Sequence, residues 1–209
     1  LFRLQKIDEA VQALREAAAS NTSGQETIKA RHQRAGAHNV LAAILRQQNQ
    51  LAEAIESSKA AVAIRESMVR DYPGVSVYRR ELAGNRHGLA SAMENTDPAT
   101  ALGIFELARQ DQARALELAP NDRTSRRYYT NHLDAICLMH SRLGQHAACA
   151  RRATEPGPVR MPDHMIARQY ARALGALAAD AALTPVECGR FRNEYTAAAL
   201  RFAAQAISN

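Results

Sequence analysis

Apolar positions recur every three or four residues through most of the chain, which is the pattern of helices that bury one face. The stretches AHNVLAAIL at 37–45 and NQLAEAIESSKAAVAI at 49–64 show it most clearly. Short breaks rich in Asn, Asp, Gly and Pro separate such stretches, as in DYPG at 71–74. The pattern therefore predicts an all-α chain with short connections.

The same landmarks return at a nearly constant interval. Leu41 and Ala42 recur 48 residues later as Leu89 and Ala90, and Pro73 recurs 47 residues later as Pro120. A unit of two helices cannot bury its apolar faces alone, so such units stack on their neighbours. The interval predicts a helical solenoid of antiparallel helix pairs.

Breaks and capping residues divide the chain into helices. Asp97 before Pro98, and Thr184 before Pro185 with Glu187, are favourable helix starts, and Ser23 with Glu26 forms a similar capping pattern. We expect residues 1–153 to form the repeats, the first of them truncated, and 154–209 to form a final pair that caps the array. The predicted helices are 1–6 as the end of one helix, then 7–20, a helix ending near 48, 51–70, 76–93, 98–118, 123–143, 145–153, 163–179 and 185–207.

Composition narrows the function. A net charge of +6 and a pI of 9.6 suit nucleic acid or acidic peptides, but the basic residues are interleaved with acidic ones, so no nucleic-acid partner is expected. No apolar run approaches the roughly 20 residues that span a bilayer, so no membrane association is expected. Three widely spaced cysteines and no signal peptide predict a reducing, cytoplasmic location. The start at Leu1 suggests a piece of a longer protein.

One cluster has the residue types of a metal site: His132, Asp134, Cys137 and His140. Against that interpretation, Cys137 falls at the small-residue repeat position of Ala42 and Ala90, and Cys149 at that of Ala54. Buried packing is the simpler role for both cysteines, so we predict no metal, no cofactor and no catalytic residue.

Small residues at Ala42 and Ala54, with a turn at Asn49 between them, resemble the tetratricopeptide repeat. That family repeats about every 34 residues, whereas this chain repeats every 47 or 48. The lengthened form, with DYPGVSVYRRELA at 71–83, resembles repeats that follow the kinase domain of bacterial serine/threonine kinases. No kinase signature occurs in this chain. The resemblance implies a right-handed superhelix whose first helices line a concave, peptide-holding groove.

The register of the resemblance places Asn39, His87 and Asp134 on that groove, although hydrogen bonding between repeats is an alternative role. Basic pairs also recur at the repeat interval. They would line one edge of the superhelix and contact an anionic ligand, or they form an ordinary solvated face. These pairs are Arg79 with Arg80 and Arg126 with Arg127.

These observations predict a non-enzymatic interaction module that presents a concave groove to a partner protein or to an acidic peptide. The kinase-type resemblance places the module in a larger bacterial signalling protein. Two alternatives remain open. One is a scaffold that self-associates through its truncated N-terminal end, and the other is a His- and Cys-based ligand sensor or enzyme fragment.

Overall fold

The computed structural model describes residues 2–19 and 26–208, with side chains from Glu9 onward. This part of the chain contains nine α-helices and no strand. None of the helices described combines the length and apolarity needed to cross a bilayer. The helices are α1 (Phe2–Ala19), α2 (Ile28–Gln47), α3 (Leu51–Asp71), α4 (Ser76–Met93), α5 (Pro98–Leu118), α6 (Arg123–Arg142), α7 (His146–Thr154), α8 (Asp163–Leu177) and α9 (Pro185–Ser208).

Each helix packs on the next one in sequence, and the short connections make neighbours antiparallel. The first helices of successive pairs also contact one another, α2 with α4, α4 with α6, and α6 with α8. This is an all-α solenoid of helix pairs, which confirms the predicted fold class. Helix α1 packs on α2 as the second helix of a preceding pair would. The predicted break between Lys6 and Ile7 is wrong, because no Gly or Pro interrupts α1 there.

Local capping chemistry fixes several helix starts. The Asp97 side chain accepts a hydrogen bond from the Thr100 amide at 3.0 Å, with Pro98 in the first turn. Thr184 and Glu187 cap α9 reciprocally, since the Thr184 amide donates to Glu187 Oε2 at 2.9 Å and the Glu187 amide donates to Thr184 Oγ1 at 3.3 Å. Both predicted starts are confirmed.

The start of α2 differs from its prediction. Thr27 caps this helix by accepting a hydrogen bond from the Ala30 amide at 3.2 Å. Glu26 lies before the helix, where its carboxylate pairs with Arg34 at 2.6 Å, and Ser23 lies outside the described residues. Glu26 is therefore a salt-bridge partner of the helix and not the acid of a capping box.

Two turns inside helix pairs use residues with left-handed backbone. Asn49 between α2 and α3 has φ of 59°, and Gly144 between α6 and α7 has φ of 69°. These positions are 95 residues apart, which is two repeat intervals. Asn and Gly are the residues that tolerate this conformation best, so the turn chemistry follows the repeat.

Small residues lie where paired helices touch, as the register predicts. Ala54, Ala90 and Ala101 have no exposed surface and Ala42 is 6% exposed. Cys137 and Cys149 continue the two series and are also fully buried. A small side chain lets helix axes approach closely, so the 47- to 48-residue interval corresponds to one helix-pair contact per repeat.

The core continues past the end of α7 into the last helix pair. Met161, in the connection to α8, is buried in one cluster with Tyr129 of α6 and Phe202 of α9. A Cβ on Gly157 would lie 2.6 Å from the Tyr129 hydroxyl, so only glycine fits this close approach. On its outer face, α9 exposes three large apolar side chains: Val186, Leu200 and Ile207.

Candidate functional site

The first helices α2, α4 and α6 lie side by side and line a cleft of about 510 Å³, called the cleft below. Helix α4 lies between α2 and α6, and the buried lining side chains of α4 and α6 form the floor of the cleft. Because the three helices belong to successive repeats, equivalent positions recur across it at the repeat interval. The cleft is lined by Gly36, Asn39, Arg65, Arg80, Glu81, Gly84, Asn85, His87, Thr124, Tyr128, Asn131 and His132.

Two histidines meet on the floor. His87 Nδ1 lies 3.0 Å from His132 Nδ1, and the His87 ring packs edge-on against Phe105 with centroids 4.9 Å apart. Burial lowers the pKa of His87 to about 4 and that of His132 to about 3. Both rings are therefore neutral at pH 7, and one of the two facing nitrogens donates while the other accepts.

Four buried polar atoms of the cleft lining lack a hydrogen bond within the described part of the chain, and two of them, Arg65 Nε and Glu81 Oε2, belong to residues that form an ion pair. Asn85 Nδ2 and His132 Nε2 are buried and have no partner among the described residues. The side chains belong to residues that are 6% and 2% exposed, and both line the cleft. Leaving such a group unpaired costs about 1 to 3 kcal/mol. A ligand that supplied the missing bonds would recover part of that free energy.

The charges of the cleft are already paired within the protein. Arg65 Nη1 lies 2.8 Å from Glu81 Oε2 and 2.9 Å from His32 Nδ1. Arg80 Nη1 donates to Asp122 Oδ2 at 2.7 Å. These pairs join neighbouring helices and leave the walls polar with little unpaired charge.

Three residues predicted to bind a partner line the cleft: Asn39, Arg80 and His87. Asn39 is exposed there, and its Oδ1 would lie 3.7 Å from a Cβ on Gly88. Asn39 of α2, His87 of α4 and Asp134 of α6 occupy one repeat position, and each presents a polar side chain toward the next first helix. For Asn39 and His87 that direction coincides with the cleft.

Asp134 occupies the same repeat position as His87 but does not line the cleft. Its Oδ1 accepts hydrogen bonds from Arg168 at 2.7 Å, Gln169 at 2.6 Å and Arg172 at 2.8 Å. The next first helix beyond α6 is α8, and three of its polar side chains bond to the Asp134 carboxylate, which stays 24% exposed. The carboxylate thus joins two repeats, which is the alternative role considered for this set.

The four arginines do not form one continuous edge, although their helix positions are equivalent. Arg79 points toward α5, where Nη1 lies 3.5 Å from Asp111 Oδ1, and only Arg80 reaches the cleft. Arg126 and Arg127 are exposed. The Arg126 guanidinium lies 3.5 Å from the Pro120 carbonyl oxygen, and the Arg127 guanidinium stacks on Tyr128 at 5.4 Å.

The residues considered for a metal site contact separate partners. His132 faces His87, and Asp134 faces α8, as described above. Cys137 Sγ lies 3.7 Å from the Cys149 carbonyl oxygen in a cluster with Tyr195, and His140 Nδ1 lies 2.7 Å from Gln145 Oε1. The contact with Cys149 and burial raise the pKa of Cys137, so it stays a thiol. These side chains diverge from the helix rather than converge on one point.

Sequence reasoning missed Gly36, Gly84, Glu81 and Tyr128 as cleft residues. The repeat interval contains the signal for all four. Gly84 follows Gly36 by 48 residues, and Tyr128 follows Glu81 by 47. Gly36 and Gly84 lie three residues before Asn39 and His87, so the repeat register that selected those two residues also indicates the glycines.

Comparison with protein families adds one match. Residues 35–68 match the model of the Tetratricopeptide repeat family. The α2–α3 pair has the sequence pattern of that repeat. Searches of curated proteins and of solved structures found no match. Tetratricopeptide repeats generally mediate protein–protein interaction and are generally non-enzymatic, and the first helices of the matched repeat and its neighbours are those that line the cleft.

Proposed function

We propose that the cleft binds a peptide segment of a partner protein. The observation that carries this proposal is the cleft of about 510 Å³ between the first helices, with two unpartnered polar atoms, Asn85 Nδ2 and His132 Nε2, buried beneath its surface. A folded chain rarely leaves such groups unpaired unless water or a ligand satisfies them. Because the helices form the cleft before binding, the protein side contributes little ordering cost.

The ion pairs of the cleft favour an uncharged polar peptide over an acidic peptide as the ligand. Arg65 and Arg80 are each engaged by a carboxylate of the protein. An acidic ligand would have to compete with Glu81 and Asp122 for them. The neutral His87 and His132 also offer no positive charge at pH 7. Polar side chains and main-chain groups match this surface better.

We also propose that this module belongs to a larger bacterial signalling protein. The support is the repeat length of 47 or 48 residues against about 34 in the usual tetratricopeptide unit, to which the 21-residue second helices α3 and α5 contribute. The DYPG break closes α3 and the equivalent APND break at 119–122 closes α5. Sequencing the complete open reading frame tests this directly, because a kinase domain preceding the repeats would support it and its absence would contradict it.

The peptide-binding proposal is tested by selecting short random peptides on the intact protein and measuring their affinity by titration calorimetry. Asn131→Trp places a large ring in the cleft at an exposed position, and Gln110→Trp makes the same change on the exposed face of α5. We expect the first variant to lose about tenfold or more in affinity, equivalent to about 1.4 kcal/mol. The second should bind as the wild type does. Equal binding by all three proteins, or failure to select any peptide, contradicts the proposal.

A further inference from the structure

Helix α9 has a second apolar side besides the one that packs on the rest of the array. Tyr195 and Phe202 lie on its buried side. Val186, Leu200 and Ile207 are 82%, 67% and 88% exposed. Their spacings of 14 and 7 residues are close to four and two helical turns, so the three side chains share one side of the helix. An end helix that only capped the array would have a polar outer side.

The exposed side of α9 follows a heptad pattern along its length. Seven exposed positions alternate at spacings of four and three residues, and this average of 3.5 keeps one stripe of a helix facing a partner helix. Five of the seven side chains are apolar, so the period is that of the seam in a two-helix coiled coil. These positions, called the α9 stripe below, are Val186, Arg190, Asn193, Ala197, Leu200, Ala204 and Ile207.

The charges beside the α9 stripe complement those of a second copy in the antiparallel orientation. Glu194 and Arg201 each directly follow a stripe residue, so they lie on the same side of it, and both are exposed without an ion pair among the described residues. A two-fold axis turns this same side of each copy toward the other. In the register that places Leu200 opposite Ala197 of the second copy, Glu194 and Arg201 of opposite copies lie about two residues, or roughly 3 Å, apart along the axis. The symmetry forms this ion pair twice.

Other arrangements of the two helices lack this match. A parallel pair would place Arg190 against Arg190 of the second copy, and it would separate Glu194 from Arg201 by about 10 Å along the axis. An antiparallel pair shifted by one heptad would bring Glu194 against Glu194 of the second copy. That register would also need Glu187 to pair with Arg201, although the Glu187 carboxylate already caps α9 through Thr184. The charges therefore favour one orientation and one register.

We propose that a second copy of this chain docks on the α9 stripe, and that the two α9 helices pair antiparallel with Leu200 opposite Ala197 of the second copy. No residue of α9 lines the cleft, so this pairing does not depend on the peptide-binding proposal. A dimer would present two clefts, and a partner with two suitable segments would gain affinity from their effective concentration. Arg190 and Asn193 make the stripe partly polar, which sets a weak and reversible dimer.

Sedimentation equilibrium of the intact protein from about 5 to 500 μM tests the association. The mass should rise from that of one chain, 22.9 kDa, toward twice that value. Leu200→Glu buries a charge in two layers of the pair and should weaken association about tenfold or more. Leu107→Glu makes the same change at an exposed leucine of α5 and should associate as the wild type does. Melting curves verify that both variants are folded.

Three outcomes of this experiment would overturn the proposal. The first is the mass of a single chain over the whole range, which would mean that the α9 stripe does not receive a second copy. The second is a dimer that Leu200→Glu leaves intact, and the third is equal weakening by Leu200→Glu and Leu107→Glu.

A charge exchange tests the orientation of the two helices. Glu194→Arg makes both ion pairs repulsive and should weaken association about fivefold. Adding Arg201→Glu to the same chain restores both pairs with exchanged signs, so the double variant should associate nearly as the wild type does. A double variant that remains as weak as Glu194→Arg alone would overturn the antiparallel pairing, even where Leu200→Glu has shown that the stripe is the interface.

Discussion

The two sides of helix α4 differ in how completely they satisfy their own side chains. Toward α5, Ala90 packs on Ala101 and Phe105 without exposed surface, and Arg86 pairs with Asp111. Toward the cleft, α4 presents a glycine at 84 and an asparagine at 85 whose amide has no partner among the described residues. One side therefore contributes stability, and the other keeps hydrogen-bonding capacity open.

The distinction has two exceptions, and the first is Arg79 Nε, which is buried on the side of α4 that faces α5 and has no hydrogen-bond partner among the described residues. The second is Gln112 of α5, which is fully buried, yet neither atom of its amide group has a partner among the described residues. It does not line the cleft, and nothing in the structure explains it. The two sides of α4 therefore differ in their exposure to the cleft as well as in their missing hydrogen bonds.

The largest expected effect comes from the ion pairs on the closed side. Asp111 accepts a hydrogen bond from Arg86 and lies 3.5 Å from Arg79. Asp111→Ala would leave the partly buried Arg79 guanidinium without a carboxylate and would leave Arg86 with Glu66 alone, so we expect unfolding free energy to fall by about 3 to 5 kcal/mol. Urea denaturation measures the change. Arg126→Ala, at an exposed arginine, is the control and should change stability by no more than about 0.5 kcal/mol. Similar values for both variants would show that the closed side is not stabilised by this network.

The next effect is a pH dependence that originates on the cleft floor. His87 and His132 have pKa values lowered to about 4 and about 3, whereas the unfolded chain titrates at the ordinary value near 6.5. Between these values the unfolded state binds more protons, so stability falls as pH decreases from about 6.5 toward 4 and is unaffected above that range. From pH 7 to pH 5 the pair should lower unfolding free energy by about 3 to 4 kcal/mol.

Urea denaturation at both pH values measures this loss. The double variant His87→Gln, His132→Gln is the comparison, because the other histidines of the chain contribute equally to both proteins. The variant should lose less stability on acidification than the wild type by the amount above. The same pH dependence in both proteins would mean that the two rings titrate normally in the folded state.

A third effect tests the close helix contact. Ala101 is fully buried between α4 and α5, so Ala101→Leu should overpack the contact and lower unfolding free energy by about 2 kcal/mol. Ala99→Leu, at an exposed position in the first turn of the same helix, should be nearly neutral. The melting temperatures of the two variants measure this difference. Equal values would show that the repeat register of α5 is wrong.

Much of the fold follows from local sequence signals. The bounds of α4 are those predicted, 76–93, because DYPG ends the previous helix and the chain turns after Met93. Asp97 with Pro98 fixes the start of α5 in the same way. Prediction fails at α1, where a helix with no breaker was divided, and at the start of α2, which Thr27 caps.

The candidate site is less predictable because its residues depend on distant partners. Asn39 and His87, which the register placed on the predicted groove, line the cleft. The register cannot show that α8 covers Asp134, since Arg168 and Arg172 lie 34 and 38 residues further along the chain. Nor does the sequence reveal that Arg79 and Arg80, adjacent and equally basic, turn to different helices. Repeat position specifies the direction of a side chain, but the neighbouring repeat decides whether that direction is open.

The smallest expected effect is a gain in unfolding free energy and not a loss. Gly84→Ala and Gly103→Ala both replace a helical glycine at a place where the new methyl group meets no atom within 4 Å. Each should raise unfolding free energy by about 0.5 to 1 kcal/mol, because alanine has the higher helix propensity and restricts the unfolded chain. Equal gains measured by urea denaturation would show that the fold has no use for glycine at either position. A loss of stability in Gly84→Ala alone would reveal a packing contact on the cleft side, and glycine there would then serve the structure of α4 and not a ligand.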